Sequence, residues 1–257
     1  MNRTGLIIAL AVAAFVGVIF GLSPQLDLMI SAPFSRMVER GINFAPHIDP
    51  GYMLARDIGL WLVTAIVAPV VAALVFKLLL PRRRLLLPGR AILFLVTTLA
   101  LGPGLVTNVI LKDHWGRPRP IDVTQFGGNE HFVPWWDPRG DCPGNCSFVS
   151  GDVSGAVWTV APAALVPLPW RPLAYGAALA LSLGVAVMRM MAGGHFFTDT
   201  VFAGVFTFLL IWVAHGLIYR WPRTRLTDEG VERGIERFAR PSHDFIVGLL
   251  RKRKTEL

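Results

Sequence analysis

Apolar residues along this chain gather in long blocks instead of recurring at the short period of an amphipathic soluble helix. Six blocks approach the roughly 20 residues a helix needs to cross a bilayer: about Gly5–Leu22, Ile58–Leu80, Ala91–Leu111, Val153–Pro169, Leu173–Met188 and Thr200–Tyr219. The fourth and fifth are short and contain Pro162, Pro167 and Gly184. Spanning helices tolerate such residues where neighbours satisfy the freed backbone groups. The pattern predicts an all-α, polytopic membrane protein of about six transmembrane helices, forming one domain over residues 1–226. The first block reads as a retained anchor, not a cleaved signal peptide, because Leu22-Ser23-Pro24-Gln25 is a poor cleavage site.

Composition agrees with the blocks. Hydrophobic residues make up 53% of the 257 and charged ones only 16%, against roughly 25% charged in soluble domains; mean hydropathy is +0.53. The net charge of +8 raises the question of nucleic acid, but no basic-aromatic module accompanies it and no nucleic-acid partner is expected. The positive charge lies in connections: Arg82, Arg83, Arg84 and Arg90 after the second block, Arg171 in a tight turn, and Arg220, Arg223, Arg225 and Arg251–Lys254 toward the end. Cationic connections mark the cytoplasmic side. With six spans, both termini are then cytoplasmic, and residues 23–57, 112–152 and 189–199 share the opposite face. Cys142 and Cys146, separated by Pro-Gly-Asn, are expected to form a disulfide, which fits an oxidising compartment there. The tail 227–257 mixes Val231, Ile235, Phe238, Phe245, Ile246, Leu249 and Leu250 with many charges. It reads either as an amphipathic helix on the inner leaflet, interrupted at Pro241, or as a disordered basic tail.

Three segments on the non-cytoplasmic side carry candidate chemistry. Lys112-Asp-His-Trp-Gly-Arg-Pro-Arg119-Pro120 places cations on the face where cations are otherwise scarce. Lys offers a point charge and Arg a planar fork that fits two phosphate oxygens. Ser147–Ser154 opens the fourth block, and Ser150-Gly151 at a helix start is either a simple cap or an anion site. Arg189, His195 and Asp199 complete the set. Four residues apart on a helix, His195 and Asp199 would share a face, letting the carboxylate fix the imidazole tautomer.

These spacings resemble the type 2 phosphatidic acid phosphatase superfamily, whose pattern is Lys-x6-Arg-Pro, then Pro-Ser-Gly-His, then Ser-Arg-x5-His-x3-Asp. The likeness covers about Lys112–Asp199. It implies a metal-independent, cofactor-free phosphatase acting on a phosphate monoester or diphosphate of a membrane lipid. His195 would be the nucleophile, forming a phosphohistidine, with Asp199 steadying it and Lys112, Arg119, Arg189, Ser150 and Gly151 holding phosphoryl oxygens. Two positions depart from the pattern: Met188 replaces Ser, and Val149-Ser150-Gly151-Asp152 puts Asp152 where the family has a leaving-group His. Arg117 and His114 stand beside the first segment, either as candidates for a second charged group of the substrate or simply as loop residues. The Phe-Val-Ser-Gly-acidic variant with an adjacent Cys looks like bacterial lipid A phosphatases. The implied setting is a bacterial inner membrane with the site facing the periplasm and lipid A favoured over phosphatidylglycerophosphate, undecaprenyl diphosphate and phosphatidic acid. A lipid-to-lipid phosphotransferase and a non-catalytic lipid-phosphate binder or transporter remain alternatives.

Overall fold

The structure, a computed structural model, describes residues 1–38, 41–44, 50–221 and 226–255. Its helices are α1 (Arg3–Leu22), α2 (Gln25–Ser31), α3 (Pro50–Leu79), α4 (Gly89–His114), α5 (Gly151–Trp158), α6 (Val160–Leu165), α7 (Arg171–Met191), α8 (Phe197–Arg220) and α9 (Asp228–Thr255). One small hairpin, β1 (Arg36–Val38) with β2 (Gly41–Asn43), interrupts them. Five helices (α1, α3, α4, α7 and α8) are long and apolar enough to cross a membrane. The chain is a multi-pass membrane protein.

The fourth expected span, Val153–Pro169, is helical but is not one continuous helix. Here the chain forms two short helices, α5 and α6, broken at Thr159. Pro162 and Pro167 explain the brevity: a proline lacks the N–H that continues a helix, and it pushes its predecessor to extended geometry. Val166 indeed has ψ 144°. Most of α5 and α6 is buried, so the pair is enclosed by protein.

By contacts the chain divides into two compact units, residues 1–63 with 98–213, and residues 64–97 with 214–257. In the first, Val16 and Phe20 of α1, Phe148, Val149, Val153 and Val157, Val185 of α7, and Phe202 and Ala203 of α8 make one apolar core. Hydroxyls stitch its helices together. The Ser154 Oγ lies 2.6 Å from the Thr207 Oγ1 and accepts from the Thr107 hydroxyl at 3.0 Å, and the Trp158 indole donates to Thr98 at 3.0 Å. Such interhelical bonds satisfy polar groups that lipid cannot. The Cys142–Cys146 disulfide closes a loop of this unit, with Cα atoms 5.8 Å apart.

In the second unit α9 packs through ion pairs. Lys77, only 1% exposed, reaches Glu232 at 3.0 Å and donates to the Arg83 carbonyl at 2.7 Å. Asp228 accepts from the Arg90 N–H at 2.9 Å, and Arg82 meets Asp244 at 3.4 Å. Val231 and Ala239 are buried while Phe238 and Phe245 stand exposed, and α9 runs on through Pro241, where an interruption was expected. The side chains of Ile246, Leu249, Leu250 and Arg251–Lys254 lie outside the described residues, as do Arg223 and Arg225.

Candidate active site

All three sequence segments meet in the first unit. The Cys146 N–H donates to the Lys112 carbonyl at 2.8 Å, Ser147 N–H to the Arg117 carbonyl at 2.8 Å, and Ile121 N–H to the Gly193 carbonyl at 3.0 Å. Backbone bonds therefore pin the loop after α4 to both other segments before any side chain is considered.

His195 sits between the end of α7 and the start of α8, 1% exposed. Its Nδ1 lies 2.7 Å from the Ser147 carbonyl oxygen. A carbonyl only accepts, so Nδ1 must carry the proton and Nε2 the lone pair. Burial, followed by the positive charges of Arg189, Arg119 and Lys112, holds the imidazole well below its ordinary value of 6.5; the Ser147 carbonyl opposes this without reversing it. His195 is thus neutral near pH 7, with one nitrogen aimed as a base or nucleophile.

The expected bond from Asp199 to His195 is corrected. The expectation required a helix through both, but α8 begins only at Phe197, and the helical i, i+4 geometry does not apply. Asp199 instead accepts the Phe196 N–H at 2.8 Å, capping its own helix, and also accepts from the Ser147 hydroxyl and the Arg117 guanidinium. It reaches His195 through Ser147, whose side chain it holds and whose carbonyl holds the imidazole.

Of the two roles left open for Arg117, the structure shows the structural one. Placed among candidates for a substrate's second charge, it is fully buried. It pairs with Asp199 and with Asp27 of α2 at 2.8 Å, and its guanidinium lies 4.5 Å from the Phe196 ring centroid. Burial works against its charge, but Asp199 and Asp27 outweigh burial and hold its value above the usual arginine range. Asp27 also accepts from the Thr198 hydroxyl at 2.6 Å and the Thr198 N–H at 3.1 Å. A signal for Asp27 was present: an acid in the apolar run Leu26-Asp27-Leu28 costs too much to be there without a partner. His114 bends back to the carbonyls of Val109 and Ile110 at 3.0 and 3.2 Å, closing the end of α4.

Around His195 the cations crowd together. Arg119, anchored at 2.6 Å to the Asn145 carbonyl, is pushed below its usual range first by burial and then by Arg189. Arg189 pairs with Asp152 at 3.2 Å. Gly194 makes room for it, since a Cβ there would stand 2.7 Å from an Arg189 Nη. Ser150 caps α5 by accepting from Val153 N–H at 3.4 Å. At Gly151 a Cβ would meet the Asn108 Oδ1 at 2.7 Å; Asn108, whose Nδ2 donates to the Pro103 carbonyl at 2.6 Å, is a neighbour the sequence did not disclose. In the 112–152 loop, Trp135 stacks on Phe202 with centroids 4.4 Å apart, while Trp136 is about half exposed and Arg139 pairs with Asp137 at 2.8 Å.

The sequence profile of the PAP2 superfamily matches residues 91–225, which takes in every one of these segments. The chain belongs to the PAP2 superfamily. Among curated PAP2-like relatives, a protein named lipid A 4'-phosphatase from Francisella tularensis subsp. novicida (strain U112) is 46% identical over 132 residues, 51% of this chain and 60% of the relative. A lipid A 4'-phosphatase of Rhizobium leguminosarum is 42% identical over 104 residues, 40% of this chain and 45% of that protein. The chain therefore spans 60% or less of the length of these relatives. A solved PAP2-type phosphatidylglycerolphosphate phosphatase from Bacillus subtilis superposes with a TM-score of 0.48 at 19% identity, covering 86% of this chain and 96% of that one. Asp27 lies outside the residues that the PAP2 profile matches.

Two predictions follow from this geometry. Because folding keeps His195 neutral while the unfolded chain binds its proton near 6.5, this group withdraws stability as pH falls from about 6.5 toward the lower folded value. In the NMR spectrum of histidine-labelled protein, the resonance missing in His195→Gln is expected to titrate below 6.5; a midpoint at or above 6.5 contradicts the account. Asp27→Asn leaves Arg117 one carboxylate short, and losing one partner of a buried ion pair costs about 3–5 kcal/mol. A lower melting temperature is the expected result, and an unshifted one contradicts the buried pairing.

Proposed function

We propose that this chain is a lipid phosphatase of the bacterial inner membrane that removes phosphate from a lipid head group, with lipid A as the favoured substrate, at the periplasmic face. The observation that carries the reading is the orientation of His195: Nδ1 is committed to the Ser147 carbonyl, leaving Nε2 as a neutral nucleophile among Lys112, Arg119 and Arg189. The names of the Francisella and Rhizobium relatives support lipid A as the lipid. The cationic connections and the Cys142–Cys146 disulfide support the placement of the site.

In the proposed reaction the three cations and the amides at the start of α5 bind the phosphoryl oxygens. Their fixed charges stabilise the charge that shifts in the transition state, so positioning and electrostatics supply most of the catalysis. Nε2 bonds to phosphorus as the bond from phosphorus to the lipid oxygen breaks. That oxygen leaves with a proton, handled at Asp152 on the Arg189 edge of the site. The phosphohistidine bears positive charge on the ring, and the Nδ1–H bond to the Ser147 carbonyl strengthens as it forms. Asp199 contributes by holding the Ser147 side chain. Water then attacks phosphorus as the bond from phosphorus to Nε2 breaks, its proton passing to Asp152 to replace the one given to the lipid oxygen, which releases inorganic phosphate and restores neutral His195.

The test is phosphate release by the detergent-solubilised protein from lipid A, phosphatidylglycerophosphate, undecaprenyl diphosphate and phosphatidic acid. Release is expected, greatest from lipid A, and His195→Ala is expected to lower it at least about a thousandfold, as losing a covalent nucleophile does. Undiminished release by His195→Ala contradicts the nucleophile assignment. A phosphorylated second lipid in place of free phosphate would make the protein a transferase.

A further inference from the structure

The three segments do not account for every charge near the site. Tyr52, Arg56, Gly59 and Val63 follow at spacings of four, three and four residues and so share one face of α3. That face lies along the end of α7. The Tyr52 hydroxyl donates to the Met188 carbonyl at 2.8 Å, a Cβ at Gly59 would stand 3.2 Å from Met188 Cε and 3.5 Å from Val185 Cγ2, and Val63 packs on the core that holds Val153 and Val185. Arg56 is set between Tyr52 and Gly59 on this face, one turn from Tyr52, whose hydrogen-bond partner Met188 directly precedes Arg189. Its Nε is buried without a hydrogen-bond partner, and no carboxylate among the described residues comes within ion-pair distance of it. Tyr52 lies in the joint field of Arg189, Arg56 and Asp152, which ties Arg56 to the phosphate cradle.

A charge inside a membrane span is expensive and is retained where it meets a partner or serves a function. Among the described residues the one ion pair made by Lys112, Arg119 and Arg189 is that of Arg189 with Asp152, while Asp113 and Asp122 bear on Lys112 and Arg119 from farther away. Arg56, beside Asp57 in sequence, adds a further positive charge and a buried donor that still needs an acceptor.

We propose that Arg56 binds a second anionic group of the lipid, so that the substrate class is a lipid bearing two phosphates. The inference rests on the phosphatase reading of the site. It gives the role once considered for Arg117, which is buried and paired, to a residue of α3 outside every motif.

The experiment compares a lipid carrying two phosphates with the same lipid carrying only the scissile one, using the full chain. Arg56→Gln is expected to lower kcat/KM about tenfold more for the doubly phosphorylated lipid, the size of effect a lost charge-assisted hydrogen bond produces. Arg56→Lys, which keeps the charge, is expected to restore most of that preference. Equal losses on both lipids, or an unaltered preference, overturn the proposal. A second readout separates it from the phosphatase reading: binding of the two lipids to His195→Ala with and without Arg56→Gln, followed by native mass spectrometry. Arg56-dependent retention of the doubly phosphorylated lipid by a chain whose wild type releases no phosphate would sustain the anion site and sink the phosphatase. Release of phosphate with no Arg56-dependent preference in either readout would do the reverse.

Discussion

Arg117 carries a full positive charge where no solvent reaches it, held by the carboxylates of Asp27 and Asp199. Two charges of opposite sign can share a dry interior only where geometry and further hydrogen bonds repay their desolvation. Here each carboxylate has several donors: Thr198 for Asp27, and Ser147 and the Phe196 N–H for Asp199. The cluster joins α2, the loop after α4, the segment before α5 and the first turn of α8. Four stretches far apart in sequence are thereby fixed around one guanidinium, and the placement of His195 depends on it. Ser147 is the link, because its side chain belongs to the cluster and its carbonyl sets the imidazole tautomer.

Charge is distributed in two layers around that link. The inner layer is balanced, with one guanidinium facing two carboxylates. The outer layer is looser: among the described residues the one ion pair made by Lys112, Arg119 and Arg189 is that of Arg189 with Asp152. Their crowding, together with burial, depresses Arg119 and keeps His195 neutral. Such an arrangement is costly until an anion enters, and it therefore favours a phosphoryl group, most of all one gaining charge as it transfers. Stability is concentrated in the inner layer and binding in the outer one. The division explains why a motif arginine and its neighbour two residues away do opposite things.

Much of this was legible in the chain. Long apolar blocks disclosed the spanning helices, because a bilayer demands about 20 apolar residues from any helix that crosses it. Lys112, Arg119, Arg189 and His195 were marked by charge on the non-cytoplasmic side and by resemblance to a family pattern, and the structure brings their segments together. The break in the fourth block was not legible in hydropathy, which registers Pro162 and Pro167 as only mildly unfavourable, whereas the helix is interrupted at Thr159 and α6 ends at Leu165. The His195–Asp199 bond failed for a related reason: spacing of four residues has meaning only inside a helix, and the two glycines before His195 delay the helix to Phe197. Asp27, Asn108, Tyr52 and Arg56 were missed because no local pattern joins them to the motifs; only tertiary packing does. The acid at 27, in apolar company, was nonetheless an anomaly that a stricter accounting of charge would have marked.

The central claim is that phosphorus passes through Nε2 of His195, and trapping the intermediate tests it most directly. Solubilised protein mixed with the lipid it hydrolyses, quenched with alkali within the turnover time and digested, would be searched by mass spectrometry for the modified peptide. The account predicts an acid-labile, alkali-stable phosphoryl group on His195, lost when the lipid is exhausted. A phosphoryl group on any other side chain, or rapid turnover with none on the enzyme, would contradict it.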